Sequence, residues 1–243
     1  MCTACLSRRA FLLSASALPL AGCDRLSLVS DAEAERMGLA AWDDIRRSTP
    51  LSRNRDYGEM VGCVAGRLLR GAGLDPAGWQ FAVFAGDTVN AFALPGRRIG
   101  VYEGMIRAAG GEGPLAAVVG HEIGHLEAEH PKERMSAQMA GTGLLRVVSW
   151  ALNLGEVEYA EEIAAALGLG VEFGLLRPYG RDQETEADRL GVAAMARAGY
   201  DPADAVRLWE GMAARGRRGP EFLSTHPAPA SRVRDLREAI AAL

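Results

Sequence analysis

The chain has 243 residues, with 27 Lys and Arg against 31 Asp and Glu and a formal net charge of −4. That balance argues against a nucleic-acid partner, which calls for a basic surface. Apolar residues make up 49% of the sequence and charged ones 24%, which excludes a disordered polyelectrolyte and leaves material for one sizeable core.

Residues 1–22 read as an export signal. Arg8 and Arg9 form a charged start, Phe11 to Leu20 is a short apolar run, and Leu20-Ala21-Gly22 ends it with small residues before Cys23. The run is shorter than the roughly 20 apolar residues that span a bilayer. Ser7 to Leu12 resembles a twin-arginine signal, and Leu20-Ala21-Gly22-Cys23 resembles the lipobox at which bacterial lipoproteins are cut and acylated on the cysteine. The expectation is a membrane anchor through lipid on Cys23, with residues 23–50 as tether and first helix. Asp24 directly after that cysteine resembles the Gram-negative pattern that holds a lipoprotein at the inner membrane, facing the periplasm. Cys2 and Cys5 leave with the signal and Cys63 remains alone, so no disulfide framework forms.

Ser27 to Pro50 is charged and alanine-rich, as an amphipathic helix would be. Tyr57 to Arg70 repeats the pattern, with Met60, Val61, Val64, Leu68 and Leu69 on one face and Gly71 to Gly73 as a stop. The period then shortens. Trp79 to Ala85, Val89 to Leu94 and Arg98 to Tyr102 are short runs rich in aromatic and β-branched residues, broken by Gly86-Asp87 and Pro95-Gly96. They predict a small antiparallel sheet of about three strands. Its edge can hold an extended peptide by main-chain hydrogen bonds, or it can be a core hairpin with no substrate role.

Glu103-Gly104 leads into a helix, and Pro114 to His130 predicts the next one. Leu115, Val118, Val119, Ile123 and Leu126 would bury it, and Pro114 suits its first turn. His121 and His125 lie four apart on one face with Glu122 beside them, the HExxH spacing by which two imidazoles reach one zinc ion. Five residues alone occur by chance, so a third ligand has to be found. The longer HExxHxxGxxH pattern is excluded, because Ala128 and Pro131 stand where its glycine and third histidine would be. His130 reads as a helix-terminal residue near the C-terminal dipole. Residues 141–150 and 163–176 are apolar but interrupted, either core helices or a lid resting on a membrane surface.

The other source of a ligand is a second helix, and Glu184-Thr185-Glu186-Ala187-Asp188 offers one. Glu184 and Asp188 are four apart, so one carboxylate can bind metal while the other orients a histidine ligand. Out of context the same stretch is a solvated acidic helix start.

Four motifs in order resemble the HtpX-like and CAAX-prenyl-protease-like gluzincin metallopeptidases, most closely the exported BepA/LoiP-like branch and its mitochondrial Oma relatives. They are Asn90 to Gly96, His121 to His125 continuing through His130 to Ser136, Glu184 to Asp188, and Ser224-Thr225-His226-Pro227. The resemblance implies a mostly helical α+β zincin domain over residues 51–243, with one Zn²⁺ held by His121, His125 and Glu184. It implies Glu122 as general base and acid, and Asp188 and Arg181 as outer residues behind the ligands. The family's usual Ser-Arg before the glutamate is Gly180-Arg181 here. The short stretch after His226-Pro227 leads to the expectation of no tetratricopeptide domain.

The expected function is a zinc endopeptidase acting on unfolded or misassembled envelope proteins. A zinc-bearing chaperone-like binder that does not cut is the rival, and Glu122 argues against it because binding alone needs no base. A purely structural zinc site is disfavoured because that class closes the metal with four ligands, cysteines foremost. His226 has three readings: a surface loop residue, a donor to the developing oxyanion, or a fourth ligand that keeps a resting enzyme latent.

Overall fold

The computed structural model describes residues 28–140, 179–214, 221–227 and 231–243. The proposed signal, Cys23 and the apolar segments 141–150 and 163–176 lie outside the described residues.

Helix α1 (Asp31–Ser48) starts at Ser30, whose side chain accepts from Glu33 N–H, and buries Ala34, Gly38 and Trp42 at a spacing of four. Helix α2 (Arg55–Ala72) starts at Asn54 and buries Val61, Val64, Ala65, Leu68 and Leu69. It ends at Gly73, whose φ of 78° suits a residue without a Cβ.

The strands are β1 (Gln80–Phe84), β2 (Ala91–Leu94) and β3 (Arg98–Tyr102), in the order β1-β3-β2. β2 and β3 pair antiparallel around the Pro95-Gly96-Arg97 turn, but β1 pairs parallel with β3, Phe81 opposite Ile99 and Val83 opposite Val101. The sheet is therefore mixed and not wholly antiparallel. The Gly86-Asp87 break does not close a hairpin. It holds helix α3 (Glu103–Ala109), with Gly104 N–H donating to Gly86 C=O and Arg107 reaching both residues. The chain thus crosses over before β2 and leaves room for β3 in the middle. Residues 50–52 cover part of the outer side of β1 through Ser52 N–H to Val83 C=O and Ala85 N–H to Pro50 C=O. Among the described residues β2 has no strand on its outer side.

Helix α4 (Glu112–Glu127) is the centre of the core, with every residue from Leu115 to His125 buried. Burial of Leu115, Val118, Val119 and Ile123 stabilises by about 1.5–3 kcal/mol each. A second helix, α5, covers residues 130–140. Helix α6 (Arg181–Arg197) crosses α4 at backbone contact. A Cβ at Gly124 would lie 2.5 Å from Ala187 O, and one at Gly191 would lie 3.0 Å from the Gly120 carbonyl carbon. Only small residues permit that approach. Helices α7 (Ala203–Ala213), α8 (Phe222–Thr225) and α9 (Arg232–Ala241) complete the described fold. Trp209 of α7 stacks on Phe222 of α8 at 5.6 Å. Among the described residues no helix is long and apolar enough to cross a membrane.

Candidate active site

The close crossing brings two sequence motifs together. His121, Glu122 and His125 on α4 and Glu184 and Asp188 on α6 are all buried, as is His226 just after α8. Ligand atoms of His121, His125, Glu184 and His226 lie within 4.8 Å of one another, a set that could hold a metal ion.

Hydrogen-bond bookkeeping shows which ring nitrogens face inward. His121 Nδ1 donates to Asp188 Oδ1 at 2.8 Å, so its Nε2 carries the lone pair. That Nε2 lies 3.0 Å from His125 Nε2 and 3.4 Å from Glu184 Oε2, and His125 Nε2 lies 3.3 Å from Glu184 Oε1. With both rings neutral, two imidazoles and a carboxylate converging in this way have no donor to share, and a metal cation or an added proton resolves their repulsion. Such a mixed nitrogen and oxygen set suits a divalent transition-metal or zinc-like ion.

The acids are balanced by a residue that spacing did not single out. Arg232, at the start of α9 and buried, grips Asp188 through Nε and Nη2 at 2.8 Å each, donates to Glu184 Oε2, and lies 3.5 Å over the Trp209 ring. Arg181, by contrast, is exposed at the first turn of α6, and its carbonyl accepts from Thr185 Oγ1. Three buried carboxylates, Glu122, Glu184 and Asp188, thus face one guanidinium, and a dication would make the cluster neutral.

In the metal-free chain a proton takes part of that role. Burial works to lower the His121 pKa, but Glu184 and Asp188 outweigh it and raise it to about 9. Burial, with His121 beside it, pulls His125 down to about 2. Glu184 is held well below the usual carboxylate range, because the charge and hydrogen bonds of the histidines overcome the burial that acts the other way. Glu122 moves upward, burial being the main cause. Its Oε1 is buried with no hydrogen-bond partner among the described residues.

His226 stands inside the cluster. Its Nδ1 is 3.0 Å from Glu184 Oε1 and 3.2 Å from His121 Nε2, and its Nε2 is 3.4 Å from Glu122 Oε1. Phe222 N–H donating to Val89 C=O ties α8 to the approach of β2. A groove of about 490 Å³ opens over Glu122 and His226, lined by Ala91–Leu94 of β2 and by Met37, Ala41 and Ile45 of α1. His130 does not close the end of α4. It is fully buried beneath His125.

The sequence profile described as peptidase family M48 matches residues 58–240. The chain belongs to this family. Curated relatives also align over two thirds or more of the chain. The mitochondrial metalloendopeptidase OMA1 of Schizosaccharomyces pombe is 36% identical over 182 residues, 73% of this chain and 51% of the relative. The beta-barrel assembly-enhancing protease of Escherichia coli K12 is 30% identical over 238 residues, 94% of this chain and 48% of the relative. The OMA1 of Saccharomyces cerevisiae is 33% identical over 173 residues, 67% and 47% respectively. The M48 chain described here therefore spans about half the length of these relatives.

Proposed function

We propose that the chain is a zinc-dependent endopeptidase acting on unfolded or misassembled proteins of the cell envelope. The observation that carries this reading is the buried Glu122 Oε1, which has no hydrogen bond among the described residues and lies 3.4 Å from His226 Nε2, beside two inward-facing imidazole Nε2 atoms and the Glu184 carboxylate. His121, His125 and Glu184 would hold one zinc ion, which when bound polarises a carbonyl and acidifies water. Glu122 takes the proton of the attacking water and passes it to the leaving amine, a duty that its raised pKa suits. Among the described residues no strand pairs with the outer side of β2, and that edge would hold an extended substrate by its main chain, favouring unfolded chains over folded ones. A chaperone-like binder has no use for a buried base.

Metal removal tests the reading. A chelator is expected to abolish cleavage of unfolded casein, and one equivalent of zinc to restore it. Zinc uptake must displace the His121 proton, so affinity should fall by about tenfold per pH unit below about pH 9 and level off above it. Cleavage that survives complete chelation would rule out the proposal.

For His226 the geometry favours the latch, since Nδ1 already lies among the ligand atoms. His226→Ala is expected to keep zinc and raise basal casein cleavage several-fold, by freeing a position for the attacking water. A fall in kcat with zinc retained would assign His226 to the oxyanion instead.

The envelope assignment draws on the Escherichia coli relative's name and on the lipobox-like Leu20 to Cys23. Lipid on Cys23 would tether the domain to the inner membrane on its periplasmic side. Cys23→Ala is expected to release the protein from the membrane fraction, and an unchanged distribution would remove the anchor from the proposal.

A further inference from the structure

We infer that His130 and Glu186 are positioning residues for the metal centre, fixing the ring of His125 from behind as Asp188 fixes that of His121. This rests on the zinc reading of the cluster and extends it to two residues outside the ligand set.

On an uninterrupted helix each residue turns by about 100°, which would leave His130 about 140° around the axis from His125. Helix α4 instead stops at Glu127, and Glu129 takes a φ of 58°, a region that is costly for a residue with a Cβ. This turn starts α5 and swings the His130 ring under His125. Their Nδ1 atoms are 2.9 Å apart, with ring centroids at 5.0 Å. The turn is held by Lys132 and Glu133 N–H groups donating to Glu129 C=O, and by Lys132 Nζ pairing with both Glu129 and Asp31. Gln183 of α6 donates to Glu133 of α5 at 2.8 Å and clamps the two helices together.

On the far side, His130 Nε2 lies 3.2 Å from Glu186 Oε2. One arrangement of protons satisfies both of these contacts. His125 offers the Nε2 lone pair to the cluster, so its Nδ1–H donates to His130 Nδ1. His130 then carries its own proton on Nε2 and donates it to Glu186. The three acids at positions 184, 186 and 188 therefore act on one centre by different routes. Glu184 enters the ligand set, Asp188 holds His121 directly, and Glu186 holds His125 through an intervening imidazole. The strained Glu129 is the local cost of bringing that imidazole into place.

The test uses the full chain with cobalt(II) as the probe. Dissociation constants come from competition with a chromophoric chelator, ligand-field spectra report the geometry, and circular dichroism confirms folding. His130→Phe fills the space without an acceptor and is expected to weaken cobalt binding by about 10- to 100-fold and to alter the spectrum. His130→Asn, whose Oδ1 can stand where His130 Nδ1 accepts from His125, is expected to recover part of that loss. Glu186→Gln should weaken binding by a smaller factor. Wild-type affinity and spectrum in His130→Phe, or His130→Asn as weak as His130→Phe, would overturn the inference by reducing His130 to packing. If His130→Phe does not fold, Glu186→Gln at the half-exposed end decides, and an unchanged affinity and spectrum there overturns it. Failure of the wild type to bind cobalt would overturn the zinc reading, and this inference with it, before any variant is compared.

Discussion

A Glu122→Gln variant is expected to retain its zinc and lose peptidase activity by about a hundredfold or more, the usual weight of a general base. The side chain is isosteric, and neither Glu122 oxygen belongs to the ligand set of His121, His125, Glu184 and His226, so metal content should not change. The lost function is specific. An amide cannot take a proton from water, and it cannot return one to the departing amine. Glu122 is suited to both tasks because burial pushes its pKa upward, while the residue lines the groove and its Oε1 makes no hydrogen bond among the described residues. The check is casein turnover alongside metal analysis of the same preparation. Wild-type turnover in a zinc-loaded Glu122→Gln protein would mean that the proton is handled elsewhere.

The second large effect is on stability. Arg232→Met is expected to destabilise the metal-free protein by about 3–5 kcal/mol, because it removes the guanidinium from buried Glu184 and Asp188 and leaves protonated His121 as the remaining cation beside them. Methionine keeps much of the packing on Trp209, so the loss reports charge and not volume. Denaturant unfolding measures it, and Arg232→Met combined with Asp188→Asn should recover part of the loss. An unfolding free energy equal to wild type would show that protons or water already neutralise the pair.

Much of this was legible in the sequence where the geometry is local. Helical spacing put His121 with His125 and Glu184 with Asp188, and both pairs share a face as expected. Strand segments were legible for the same reason, since turn residues and a shortened period mark them. The sheet's order was not, because Gly86-Asp87 looks the same whether it closes a hairpin or starts a crossover. Arg232 is one arginine among many in this chain, and its role exists only through contacts with residues more than forty positions away. His130 differs for another reason: a helix over 114–130 reads as unbroken in the sequence, and nothing in Ala128-Glu129 announces the left-handed turn at Glu129. Arg181 shows the converse, since a position beside an acidic motif says little about which guanidinium reaches into the core.

The place of Arg232 on the last helix also sets an order of events during synthesis. The residues that would bind metal and move protons lie between His121 and His226, so they leave the ribosome before the guanidinium that neutralises them. Until α9 docks, Glu184 and Asp188 lack the one arginine that pairs with them among the described residues, and burying the two acids is unfavourable. A nascent chain therefore carries its candidate metal ligands and base before it has the charge balance to bury them, and the first turn of α9 supplies that balance.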